Sequence, residues 1–381
     1  MFGRRIELFK VFGFPINLDP SWFFIAVLLT LSLAQQYFPQ AHPGLPSATY
    51  WAMGVAGALG LFVSVVLHEL SHAVVARRYG LRIRGITLFL FGGVAEMADE
   101  PPTPKAEFWM AIAGPVASVL LGLAFSGLAG IAAPAGHALG WPVPVVGVLA
   151  YLGFINLTLG IFNLVPAFPL DGGRVLRSAL WHWKKSLRWA TRITSAIGSG
   201  FGLLLMGLGL LSILRGMWGG LWFLLVGLFV RGAAASSYQQ LLLRRALEGE
   251  PVAKFMRPDP VTVPRGISVE ELVHDYIYRH HFKMFPVVDD AGRLWGCVTT
   301  RQVKELPREE WDRQTVGALA ARSSPENTVT AETDAMRALS RMNRNGASRL
   351  MVVDGDRLLG ILTLKDLMRF FALKMELEEA A

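Results

Sequence analysis

Two histidines and a glutamate interrupt the apolar stretch VSVVLHELSHAVVARRYG, residues 63–80, at His68, Glu69 and His72. Ionisable side chains are costly inside a run long enough to cross a bilayer, and where they occur there they usually serve function. Residues four apart on a helix share a face. The two imidazoles can therefore hold one metal ion, with Glu69 beside the bound water. This is the arrangement that hydrolyses bonds with zinc, the Glu serving as general base. The bland alternative is a polar cluster that only bonds helices together. Three ionisable groups within two turns of one span favour chemistry.

A catalytic zinc takes three protein ligands and leaves one position open. The third candidate is Asp171, in GIFNLVPAFPLDGGR, residues 160–174. Pro166 and Pro169 cannot sustain a regular helix. The chain is expected to unwind there and to carry Asp171 on a turn whose backbone Gly172 and Gly173 free.

The elements that must position these groups are membrane spans. Six apolar runs approach the ~18–20 residues a bilayer requires: 21–36, 51–76, 108–133, 145–165, 195–214 and 217–235. Trp22, Trp51, Trp109, Trp141, Trp218 and Trp222 fall near their ends, where interfacial aromatics belong. The formal net charge of +8 is distributed by topology. Basic residues gather at Arg4, Arg5 and Lys10, at Arg77, Arg78, Arg82 and Arg84, and from Arg174 to Arg192, while the connections 37–50 and 134–144 contain none. By the positive-inside rule the N-terminus, the loops after spans two and four, and the C-terminal region are cytosolic, with Arg215 a mild exception. The basic excess then needs no nucleic-acid partner. Spans two and four run the same way, so His72 and Asp171 approach the same face. With a rise of ~1.5 Å per residue, His68 lies roughly 13 Å inside the boundary marked by Arg77. The N-terminal lead-in does not have the form of a cleaved signal peptide. The single cysteine, Cys297, fits a reducing compartment. The stretch GITLFLFGGVAEM, residues 85–97, has strand character broken by Gly-Gly. It is a candidate edge for pairing with an unwound substrate, to be tested by proline at alternate positions of 86–91, the alternative being a packing hairpin that only seals the site. Glu96, Asp99, Glu100 and Glu107 are expected to be solvated, as are His274, His280 and His281.

Beyond the basic-to-acidic segment LLLRRALEGEP, residues 241–251, the chain repeats itself. FPVVDDAGRLWGCVTTRQV (285–303) and RLMVVDGDRLLGILTLKDL (349–367) share one pattern of strand, turn, strand and helix. Each follows a helical stretch, 268–280 and 332–344.

HELSH, FGG at 91–93, AGP at 113–115 and NLVPAFPLDGG from Asn163 resemble the site-2 protease family of intramembrane zinc metalloproteases, over about residues 1–240. The resemblance implies one zinc per chain on His68, His72 and Asp171, with Glu69 activating water and Asn163 contacting substrate or oxyanion. It also implies a transmembrane protein substrate cleaved near the cytosolic face, as in regulated intramembrane proteolysis. Ser118 stands where many relatives carry Asn. The repeat resembles a tandem pair of CBS domains, 252–310 and 312–371, with 241–251 as linker. In that family a closing Gly-x-x-Thr-x-x-Asp often holds a nucleotide ribose. Gly360, Thr363 and Asp366 keep it, whereas the first copy has Gly296 and Thr299 but Gln302. The implied ligands are ATP, ADP or AMP, and a homodimer is the implied assembly; a dimerisation module without ligand is the alternative. The expected fold is thus a polytopic α-helical membrane protein with an α/β CBS pair, multi-pass in the cell membrane. The rival is a metal-ion transporter or channel gated by the CBS pair, since buried His and Asp also suit an ion path. The Glu inside the histidine pair favours hydrolysis.

Overall fold

The computed structural model describes residues 6–81, 83–90, 92–97, 100–135 and 142–379. Arg4, Arg5, Arg82, Phe91, Asp99 and Trp141, and the side chain of Glu96, lie outside the described residues. The chain divides into two compact units, residues 1–239 and 240–381.

The first unit opens with strands β1 (Ile6–Val11) and β2 (Phe14–Leu18). Helices α1 (Ser21–Ala41) and α2 (Ser47–Arg78) follow. Then come β3 (Ile83–Phe89), β4 (Gly92–Met97), α3 (Pro104–Ala135), α4 (Val143–Asn163) and α5 (Asp171–Lys184). Helices α6 (Leu187–Leu214) and α7 (Gly220–Leu247) complete the series. Six of these helices, α1–α4, α6 and α7, are long and apolar enough to cross a membrane. The fifth span begins eight residues before its expected start, at Leu187. Its extra turns carry Thr191 and Thr194, whose polarity masked positions that are nonetheless buried.

The sheet order is β1-β2-β3-β4, with β2 and β3 parallel and the other pairs antiparallel. Phe14, Ile16 and Leu18 alternate inward from β2 and pack with Ile86 and Leu88 onto Val66, Leu70 and Ala73 of α2. Full burial of such side chains contributes ~1.5–3 kcal/mol each. At ~100° per residue, Val66, Leu70 and Ala73 form one face of α2, while His68 and His72 point to the opposite side. Within the stretch 85–97 expected to offer an edge, β3 is interior and paired on both sides, so the part that lies in 86–91 is not the edge; the outer strand is β4. The partner that covers β3 is FPINL of β2, and its alternating inward side chains require it to join the sheet.

α4 ends at Asn163 and residues 164–170 are non-helical, as Pro166 and Pro169 dictate. Asp171, however, is the first residue of α5 rather than part of a turn.

The second unit holds two four-stranded sheets. One contains β6 (Val263–Pro264), β7 (Met284–Val288), β8 (Leu294–Thr299) and β9 (Ala321–Arg322). The other is ordered β10 (Thr328–Thr330), β11 (Arg349–Asp354), β12 (Arg357–Thr363) and β5 (Arg257–Pro258). Helices α8 (Thr300–Glu305), α9 (Ala335–Asn345) and α10 (Leu364–Glu379) pack on them. Each repeat lends its first short strand to the other's sheet: β5 lies on β12 and β9 on β8. Residues 241–247 continue helix α7, and Leu247 is fully buried with Val252, Leu350 and Leu362 in the core of this unit.

Candidate active site

Helix α2 presents His68 and His72 one turn apart, both buried, at 4% and 5% exposure. Helix α5 delivers Asp171 to them from its first position. The Nε2 atoms of the two histidines are 3.2 Å apart, and Asp171 Oδ2 lies 3.1 Å from His68 Nε2 and 3.2 Å from His72 Nε2. Zinc bonds of ~2.0–2.1 Å in tetrahedral geometry place ligand atoms ~3.3–3.4 Å apart. The triangle therefore has the size of one face of a zinc tetrahedron. Among the described residues this is the one cluster of three metal-capable side chains.

The outward nitrogens are held. His72 Nδ1 donates to the Met110 carbonyl at 2.7 Å, which leaves Nε2 as the lone-pair atom of the neutral ring. His68 Nδ1 is bonded to Ser118 Oγ at 2.8 Å. Such second partners fix ring orientation and tautomer at metal sites. Both partners belong to α3, so this helix orients the two rings that α2 supplies.

Two glycines make room. A Cβ on Gly114 would stand 2.2 Å from His72 Nε2 and 2.6 Å from His68 Nε2, so α3 touches the ligand atoms where the sequence reads AGP. A Cβ on Gly93 would stand 2.5 Å from Glu69 Cγ, which places the half-buried Glu69 against edge strand β4. Gly172 and Gly173 serve close packing rather than a turn: Cβ atoms there would meet Leu164 O at 2.2 Å and Phe168 N at 2.4 Å.

Glu107 corrects an expectation. It is fully buried and accepts from Arg177 Nε at 2.6 Å, with a second contact from Arg177 Nη2. Glu100 reaches the same guanidinium at 3.5 Å, and its side chain is 35% exposed. An ionised carboxylate is buried only with a partner, and α5 brings one. The pair ties α3 to the helix that carries Asp171. Sequence reasoning missed Ser118, Met110, Glu107 and Arg177 as supports of the centre. The available signal was an acidic residue at the head of an apolar span, opposite a basic amphipathic helix. Asn163 is half-buried at the last position of α4. The buried Asn156, two turns earlier, donates to Ser64 Oγ at 3.0 Å.

In the second unit, Thr363 and Asp366 are hydrogen-bonded to each other, and Thr299 bonds to Gln302. Thr363 Oγ1 donates to Asp366 Oδ2 at 2.5 Å, while Arg257 Nε and Nη2 donate to Oδ1 at 3.0 and 2.8 Å. Thr299 instead caps α8 in a reciprocal box with Gln302, whose Nε2 donates to the Leu319 carbonyl at 2.9 Å.

The sequence model of peptidase family M50 matches residues 56–136 and 126–207, and that of the CBS domain matches 252–309 and 316–373. The chain is 35% identical over 355 residues to sll0528 of Synechocystis sp., covering 92% of this chain and 91% of that one. It is 32% identical over 378 residues to Zinc metalloprotease MJ0392 of Methanocaldococcus jannaschii, covering 98% of each. Among solved structures, the Site-2 Protease from Methanocaldococcus jannaschii aligns with a TM-score of 0.44 and 33% identity, over 62% of this chain and 95% of that chain. Kinship on this scale removes the ion-transport alternative. A chain related end to end to such proteins, with the M50 match lying over the helices that bear His68, His72 and Asp171, belongs to the site-2 protease family: it is a multi-pass membrane zinc metalloprotease with a CBS pair.

Proposed function

We propose that the protein hydrolyses peptide bonds of membrane-embedded protein substrates near the cytosolic face, at one zinc held by His68, His72 and Asp171. The observation that carries this is the convergence of two imidazole nitrogens and a carboxylate oxygen within 3.2 Å of one another, beside Glu69. Their fit to zinc is chemical as well as metric. The donor set is two nitrogens and one oxygen, and the hydrogen bond to Met110 turns the Nε2 lone pair of His72 inward. When bound, zinc lowers the pKa of a coordinated water toward neutrality and polarises the scissile carbonyl. Glu69 takes a proton at its carboxylate and returns it to the leaving amine nitrogen. Met110 and Ser118 keep the rings from rotating, and the buried Glu107–Arg177 pair keeps α5, and with it Asp171, in register with α3.

A helical substrate hides its carbonyls in internal hydrogen bonds and must unwind before cleavage. The edge of β4, which passes Glu69 at Gly93, is the surface we assign to the unwound segment, with Asn163 in substrate or oxyanion contact. The basic clusters support a cytosolic N-terminus and cytosolic CBS pair. The Thr363–Asp366 pair supports one adenine-nucleotide site (ATP, ADP or AMP) that tunes turnover, and the CBS pair is the contact we assign to a homodimer.

The test is metal content followed by cleavage. Detergent-purified wild type should hold one zinc per chain, and Asp171→Asn should lose it on dialysis against a chelator. Glu69→Gln should keep the zinc and abolish cleavage of a transmembrane substrate. Zinc unaffected by Asp171→Asn would overturn the three-ligand site.

A further inference from the structure

The two repeats correspond in register at their exchanged strands but carry different side chains there. β5 lies on β12 with Arg257 opposite Ile361 and Pro258 opposite Gly360. β9 lies on β8 with Ala321 opposite Cys297 and Arg322 opposite Gly296. Gly360 and Gly296 mark the equivalence. A Cβ on the first would stand 2.5 Å from Arg257 O, and a Cβ on the second 2.0 Å from Ala321 O. Arg257 thus corresponds to Ala321, just as Asp366 corresponds to Gln302. One half of the pair has a cation and a carboxylate where the other half has neither.

In the charged half both carboxylate oxygens are engaged. Arg257 gives two donors to Oδ1 of Asp366, and Thr363 gives its hydroxyl to Oδ2. The Asp366 side chain is 13% exposed and that of Arg257 59%, so the guanidinium covers the carboxylate from the solvent side. Three of the roughly four acceptor positions of the carboxylate are thus taken, so a ribose diol that bonds to Asp366 through both hydroxyls has to take a position on Oδ1 from Arg257.

We infer that Arg257 is the phosphate-selecting residue of this site: ribose hydroxyls displace it from Asp366, and it transfers to the phosphate of the same ligand. The assignment rests on the nucleotide reading of the second repeat given above. Backbone pairing to β12 keeps Arg257 beside the sugar after the exchange. A phosphate offers the guanidinium the same forked acceptor geometry that the carboxylate did. A nucleoside displaces the guanidinium and offers nothing in return. The site therefore discriminates against nucleosides, and the first repeat, with Ala321 and Gln302, lacks both members of this exchange.

Isothermal titration of the full-length protein in detergent with AMP and with adenosine tests this. Charge-assisted hydrogen bonds have strengths that correspond to ~10-fold or more in affinity. Wild type should bind AMP about 10-fold or more tighter than adenosine. Arg257→Ala should weaken AMP by about 10-fold and leave adenosine unchanged or tighter, so that the ratio falls toward one. Asp366→Asn should lose both ligands. Unchanged zinc content and unfolding temperature show that each variant is folded. If Arg257→Ala leaves the ratio at its wild-type value, or weakens both ligands equally, the role of Arg257 is refuted while the nucleotide site stands. If wild type binds neither ligand, the nucleotide site itself is refuted, and the role of Arg257 with it.

Discussion

Replacing Gly114 by alanine should empty the metal site while leaving His68, His72 and Asp171 in the sequence. The added methyl would stand 2.2 Å from His72 Nε2, 2.5 Å from His72 Cε1 and 2.6 Å from His68 Nε2. Ordinary contact begins at 3.4 Å, so the overlap exceeds 1 Å at the ligand atom itself. Neither ring can swing away freely, because their Nδ1 atoms are bonded at 2.7 and 2.8 Å to the helix that carries the intruding methyl. Relief must come from parting α2 and α3 by about 1 Å, whereas metal–ligand distances tolerate only about ±0.2 Å. Zinc affinity should drop by at least the ~10–100-fold seen when a supporting partner is lost. The assay is zinc per chain by elemental analysis after graded chelator dialysis. Gly127→Ala on the same helix is the control, since a Cβ there meets nothing within 4 Å. It should keep its zinc, with helix stability unchanged or raised by up to ~1 kcal/mol. A Gly114→Ala protein that retains zinc like the control would refute the close approach of α3 to the ligand nitrogens.

Ser118→Ala should free the His68 ring and lower zinc affinity by ~10–100-fold, while Ser118→Asn, which can still bond Nδ1, should recover most of it in the same dialysis series. Glu107→Ala leaves Arg177 buried without its carboxylate and should cost about 3–5 kcal/mol in unfolding free energy; Glu107→Leu combined with Arg177→Met should restore much of the loss. Proline at Val94 or Ala95 removes successive N–H groups of β4. One of the two should stop cleavage of a transmembrane substrate while zinc stays bound, and full activity in both would exclude edge pairing. Cys297 is buried, and burial pushes its thiol pKa up. Less thiolate is then present at neutral pH than in a free cysteine, so maleimide labelling at neutral pH should be slow in the native protein and rapid after unfolding.

Sequence alone carried the architecture far because its strongest signals are local. A span declares itself by composition, the His68–Glu69–His72 spacing by helical period, and the repeat by self-similarity. What stayed hidden depends on contacts between distant segments. Glu107 and Arg177 are 70 residues apart and each resembles an ordinary span-end charge until α3 and α5 meet. Strand β3 has edge character in isolation, and only the docking of β2 makes it interior. Gly172 and Gly173, next to an aspartate, have the form of a turn, yet they are helical and buried against the unwound segment before them. Asp366 was visible through its motif, but Arg257 belongs to the opposite end of the CBS pair, 109 residues earlier.

The exchange of first strands between the repeats has a consequence for biosynthesis. β5 leaves the ribosome about a hundred residues before β12, the strand it must join, which is ~5–20 s at ordinary elongation rates. During that interval β5 has no ladder to enter, and β8 lacks its outer neighbour until β9 follows. Neither repeat can reach its final sheet alone, so the pair should complete folding in one late step that waits for the second repeat. Arg257 and Asp366 come within hydrogen-bond distance only at that step. A chain truncated in the second repeat would carry His68, Glu69, His72 and Asp171 and yet lack the Arg257–Asp366 contact, which makes that contact a chemical mark of a finished molecule.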